Sequence, residues 1–131
     1  MKLKEVMKSV RTISPDETIK AAAGIMSKYG IGSLVAIDSK KKVVGIVTES
    51  DIIKDVSARD RLASRVRVSD IMSKNVITID SNSLLDDAVY LMVKHKIKKL
   101  PIIENNELVG IVTSTDIVAN SSDVGEFYLF G

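Results

Sequence analysis

The chain has 131 residues and a mass of 14.3 kDa, with 45% apolar and 27% charged side chains, 19 basic against 17 acidic. That length suits one compact domain or two small ones and buries roughly two-thirds of the unfolded surface. A net charge of +2 argues against a protein held to nucleic acid by electrostatics alone; cysteine is absent, which excludes disulfides and thiolate sites, and a single histidine, His95, removes mechanisms that need two. No run approaches the roughly 18 apolar residues of a membrane span. The N-terminus, MKLKEVMKSVRTISPDET, lacks the apolar core of a signal peptide, so the expectation is a cytoplasmic protein with no membrane partner. Aromatic residues number five, and three of them, Phe127, Tyr128 and Phe130, fall in the last five positions.

The chain repeats itself. Residues 44–52 read VGIVTESDI and residues 109–117 read VGIVTSTDI, seven of nine identical at a spacing of 65. Upstream, TISPDETIKAAAGIMSKYGI from Thr12 lies over TIDSNSLLDDAVYLMVKHKI from Thr78 at a spacing of 66. The slip falls between DSKKK and ENNE, where a turn absorbs it. The expected organisation is a first repeat over 1–57, a linker over 58–68, a second repeat over 69–120 and an apolar tail over 121–131.

Each repeat reads as strand, helix, strand, strand, helix. In the first, Ser14-Pro15-Asp16-Glu17 predicts a helix start with Ser14 as N-cap, Pro15 at N1 and Glu17 at N3. Ile19, Ala22, Ala23, Met26 and Tyr29 follow at helical spacing, and Gly30 is the expected stop. Two β-rich runs come next, SLVAID and KVVGIVT, then a short helix from about Glu49 to Ser57. The stretch ARDRLASRVRV, 58–68, is polar and basic and reads as the linker. In the second repeat Leu85, Ala88, Val89 and Met92 form the helical face, KLPIIE and ELVGIVT the strands, and Asn105-Asn106 a tight hairpin turn, because Asn tolerates positive φ. A unit of about 50 residues hardly buries a core alone. The expected fold is therefore α/β (α+β): two βαββα repeats around a pseudo-twofold axis in one globule, with related clefts where equivalent strand ends meet.

The constellation that carries chemistry is Thr48-x-Ser50-Asp51 with its twin Thr113-x-Thr115-Asp116. Each falls where a strand ends and a helix begins, so hydroxyls and free backbone N–H groups offer an anion site. The aspartate beside them can accept from both hydroxyls of a ribose. Ordinary N-capping explains the same residues in a single copy; both repeats keep the pattern while neighbouring positions drift. Gly30-x-Gly32 follows a helix and precedes a strand, the reverse of a dinucleotide-binding turn. His95 reads as a solvated helix end, and Asp86-Asp87 and Asp16-Glu17 as first-turn carboxylates.

With GIVTxxDI closing each unit, Val6-Met7 and Ile71-Met72 opening them and KIKKLPIIE in the second, the chain resembles a tandem pair of CBS domains, named after cystathionine β-synthase, standing alone with no attached enzyme or channel. The resemblance implies a non-enzymatic sensor that binds an adenosine nucleotide such as AMP, ADP or ATP, or S-adenosylmethionine, in the inter-repeat clefts. It also implies a homodimer that signals occupancy to a protein target. Asp51 and Asp116 would then hold ribose hydroxyls, with Thr48, Ser50, Thr113 and Thr115 near phosphate. Thr12, Ile13, Thr78 and Ile79 match first-strand positions lining the base pocket. Gly32, Ser33, Lys98 and Lys99 match phosphate-contacting positions before the central strand, and Pro101 belongs to the same motif. On this reading the cleft of Asp116 prefers the more phosphorylated ligand, although a basic strand edge that discourages sheet pairing explains the lysines as well. No cofactor is obligatory and no dedicated metal cage is readable; Mg²⁺ would enter with a nucleotide. The rival reading is a nucleic-acid accessory protein using Lys40-Lys41-Lys42, Arg59, Arg61, Arg65, Arg67 and the lysines of 94–99, against which stands the lack of interleaved aromatics.

Overall fold

A computed structural model describes residues 1–120; the tail reading falls on 121–131, outside the described residues. The chain divides into two compact units, Arg11–Val76 and Met1–Val10 with Ile77–Gly131. Each holds one three-stranded sheet.

In the unit Arg11–Val76 the order is β1 (Thr12–Ile13), α1 (Ile19–Tyr29), β2 (Ser33–Ile37), β3 (Val43–Thr48), α2 (Glu49–Ile52), a π-helical turn (Ile53–Ser57), a 3₁₀ turn (Ala63–Arg65) and α3 (Val68–Ile71). β1 pairs parallel with β2, and β2 antiparallel with β3. The other unit has a 3₁₀ turn (Leu3–Glu5), β4 (Ile79–Asp80), α4 (Leu85–His95), β5 (Lys99–Glu104), β6 (Glu107–Thr113) and α5 (Ser114–Ala119), with the same pairing. The strand-helix-strand-strand-helix order read from the repeats is present in both. Asn105 and Asn106 take φ of 52° and 65°, the left-handed pair the hairpin requires.

α1 begins later than its sequence signature predicts. The helix opens at Ile19 with Thr18 as N-cap, its hydroxyl accepting from Ala21 N–H at 3.1 Å. Ser14 instead closes a turn, its Oγ accepting from Asp16 N–H at 3.2 Å and its carbonyl from Glu17 N–H at 3.1 Å. Residues 15–19 are held by pairing with 66–69: Ser69 N–H donates to Pro15 C=O, Val68 N–H to Glu17 C=O, and Ile19 N–H to Val66 C=O. That pairing takes the backbone groups a helix would use, so Asp16 and Glu17 precede the helix rather than lie in its first turn. α1 ends at Gly30 in the left-handed region, φ 62°; at the matching end of α4 Lys96 takes φ 55°.

The end of the expected linker is also core. Val66 and Val68 are 2% and 0% exposed and pack with Ile13, Ile19, Ala22 and Val47. Arg65-Val66-Arg67-Val68 alternates with period two, and its apolar face turns inward while Arg67 forms a bridge with Thr18. Residues 1–4 do the same for the other unit. Leu85 N–H donates to Met1 C=O, Leu3 N–H to Ser83 C=O, and fully buried Leu3 packs with Leu85, Ala88 and Ile102. The leading segment of each sequence repeat thus packs on the βαββα body of the other repeat.

Two glycines make this possible. In β6 a Cβ on Gly110 would stand 2.8 Å from Met7 Sδ and 3.0 Å from the Lys8 carbonyl oxygen; in β3 a Cβ on Gly45 would meet Met72 Sδ. The glycine of each VGIVT run is where a leading segment lies against the sheet.

Candidate ligand-binding turns

The Thr–Asp turns stand at the C-terminal ends of β3 and β6. Thr48 Oγ1 accepts from Asp51 N–H at 3.2 Å, and Asp51 Oδ2 accepts from Thr48 N–H at 3.0 Å. Thr113 and Asp116 repeat the exchange at 3.4 and 2.8 Å, and the Thr113 hydroxyl also donates to Asp116 Oδ2 at 2.9 Å. Capping is therefore real in both turns, and the functional question is which oxygens it leaves over. Asp51 Oδ1 accepts no hydrogen bond from the described residues. Asp116 Oδ1 meets the Lys8 ammonium at 2.8 Å.

Sheet register brings part of the candidate set together. Ser33 pairs with Thr48 and Lys99 with Thr113. Gly32 C=O accepts from Glu49 N–H at 3.0 Å, and Lys98 C=O from Ser114 N–H at 2.9 Å. Ser50 and Thr115 are exposed on the first turns of α2 and α5. The Gly32-Ser33 and Lys98-Lys99 positions therefore border the turns.

The first-strand positions lie elsewhere. Thr12 pairs with Val35 and Ile13 with Ala36, while Thr48 pairs with Ser33. A groove of about 570 Å³ runs between residues 12–16 and 37–39, at the opposite end of the sheet from Asp51. β2 spans four steps from Ser33 to Ile37, about 13 Å of strand, which separates the first-strand positions from the Asp51 turn within this unit. Ile13 and Ile79 are each 6% exposed core residues, Pro101 is fully buried in β5, and Thr12 and Thr78 are half-buried. In the groove Asp38 Oδ1 accepts from Lys40 and Lys42 N–H at 2.8 and 3.0 Å; the Lys42 contact leads in holding its carboxyl below the ordinary range.

Charge separates the two turns. A Cβ on Gly32 would lie 3.5 Å from the Glu49 carboxylate carbon, so a second acid sits over the Asp51 turn, where the other repeat has Ser114. The Asp116 turn is bordered by exposed Lys98 and Lys99 and is capped by Lys8. Asp116 is 3% exposed, and Lys8 is 68% exposed. Burial alone would raise the Asp116 carboxyl, but the Lys8 ammonium and the Thr113 N–H and hydroxyl outweigh it and hold the pKa below its ordinary value. Sequence reasoning alone does not reach Lys8: the repeat alignment sets it over Ser73, but its partner lies 108 residues away. Among the described residues no three acids or histidines gather as a metal site, and no helix is long and apolar enough to cross a membrane.

The CBS-domain family model matches residues 3–58 and 68–123. An uncharacterized protein, MK0525, of Methanopyrus kandleri is 40% identical over 112 residues, 85% of this chain and 57% of that protein. Inosine-5'-monophosphate dehydrogenase of Methanocaldococcus jannaschii is 34% identical over 114 residues, 86% of this chain but 22% of the enzyme. The chain thus spans just over half of the first relative and about a fifth of the second. Among solved structures, the CBS domain pair of protein MJ0100, in complex with 5'-methylthioadenosine and S-adenosyl-L-methionine, is 31% identical with a TM-score of 0.81, covering 93% of this chain and 96% of that one. Two matched copies, each with its three-stranded sheet and its Thr–Asp turn, place this chain in the CBS-domain family as a tandem CBS pair.

Proposed function

We propose that this CBS pair is a non-enzymatic regulatory module that binds an adenosine-containing ligand and passes its occupancy to a protein partner or a second copy of the chain. The observation that carries the reading is the Asp51 turn. Its capping exchange leaves one carboxylate oxygen with no partner among the described residues, beside exposed Ser50 and the Gly32-Ser33 strand start. An aspartate so placed accepts ribose hydroxyls without giving up its cap. The complex of the MJ0100 pair with two adenosine derivatives supports that ligand class.

Charge divides the class further. The Asp51 turn, with Glu49 beside it, suits a neutral or positively charged nucleoside such as S-adenosylmethionine; this second reading is favoured by the same relative. The Asp116 turn, bordered by Lys98 and Lys99, suits AMP, ADP or ATP, with Mg²⁺ arriving on the nucleotide.

Thermal denaturation with adenosine, AMP, ATP, 5'-methylthioadenosine and S-adenosylmethionine tests the reading. A ligand specific for the folded state at 100 times its Kd stabilises by about 2.7 kcal/mol, which moves Tm by several degrees. No shift with any of the five would overturn it.

A further inference from the structure

The Lys8–Asp116 pair has no equivalent in the other unit. Lys8 is held by its backbone, which exchanges hydrogen bonds with Ile111 at 3.0 Å in both directions and lies against Gly110. Ser73 makes the same exchange with Ile46, at 2.9 and 3.0 Å, but brings no charge. At Asp116, Thr113 takes Oδ2 twice and the Lys8 ammonium takes Oδ1, which leaves a carboxylate almost closed to solvent.

We propose that Lys8 is a tethered counter-ion that makes the Asp116 turn select phosphorylated over neutral adenosine ligands. This deepens the adenosine reading above and rests on it. A ribose reaching Oδ1 must displace the Lys8 ammonium. A neutral nucleoside gives that ammonium nothing in exchange, so the lost charge-assisted contact counts against binding. A phosphate gives it a new partner, and the mostly exposed Lys8 side chain can turn to it while its backbone stays fixed. Ribose recognition and phosphate recognition are then coupled through one side chain.

The test is calorimetric titration of AMP and of adenosine onto the full chain carrying Asp51→Ala, so that the Asp116 turn is read alone. Adding Lys8→Met should lower the ratio of AMP to adenosine affinity roughly tenfold, the worth of one charge-assisted contact, mainly by tightening adenosine and weakening AMP. Lys8→Arg should retain the ratio. In an Asp116→Ala background, Ser73→Lys on its exposed position should raise the ratio at the Asp51 turn, which guards against a Lys8→Met chain that folds poorly. An unchanged ratio in both Lys8→Met and Ser73→Lys would overturn the proposal while leaving the adenosine reading intact. Failure of both AMP and adenosine to bind the unmutated chain overturns the proposal, and the adenosine reading falls with it only when none of the five ligands shifts Tm.

Discussion

The Asp51 and Asp116 turns come from nearly the same nine residues, share strand register and share a capping exchange, yet one carboxylate keeps a spare oxygen and the other is covered by a lysine. The difference originates in the segments that cross between repeats. Lys8 and Ser73 occupy the same bridged position, and the residue there decides whether the aspartate beneath is open or paired. A duplicated fold can thus keep its backbone and change the chemistry of one site through one position on a strand-like arm.

Removing the arm's anchor should break the comparison most strongly. Leu3→Ala empties a fully buried position and should cost about 2–5 kcal/mol. Amide hydrogen exchange should show lost protection in α4, β5 and β6 rather than in β2 and β3. Loss confined to β2 and β3 would contradict the assignment of Met1–Val10 to the second repeat's body.

The ion pair comes next. Lys8→Met leaves a buried carboxylate short of its cation and should cost about 1–3 kcal/mol at pH 7, whereas Ser73→Met should cost less. The pH dependence has a definite sign. Because the folded pKa of Asp116 is depressed, its contribution is complete above the unfolded value of about 4 and fades as pH falls through the lower, folded value. Denaturant titrations from pH 7 to pH 2 should therefore show a smaller acid-induced loss in Lys8→Met than in the unmutated chain.

The smallest effect lies at the helix ends. Gly30 and Lys96 both take the left-handed conformation, but only glycine does so without steric cost. Lys96→Gly should stabilise by up to about 1 kcal/mol, and Gly30→Ala should destabilise by a similar amount, both read from denaturant midpoints.

Much of this architecture is written locally. Short β-rich runs mark β2, β3, β5 and β6, Asn105-Asn106 demands its own turn, and strand followed by Thr-x-x-Asp produces the capped turn in both repeats. The unread parts are those decided by distant residues. Ser14-Pro15-Asp16-Glu17 carries a sound local helix start, but residues 66–69 take its backbone groups. Val66 and Val68 alternate legibly, yet the arginines around them make the stretch look solvated until a partner strand is known. Lys8 shows the limit most plainly, since no local pattern connects it to Asp116.

If the two aspartates hold the ribose of an adenosine ligand, calorimetry on the full chain reads the loss of each. With the ligand that gives the largest thermal shift, Asp51→Ala and Asp116→Ala should each abolish or weaken binding at one turn, and the double variant should lose measurable binding while retaining its fold by circular dichroism. Unchanged affinity and stoichiometry in the folded double variant would show that neither aspartate holds the ribose.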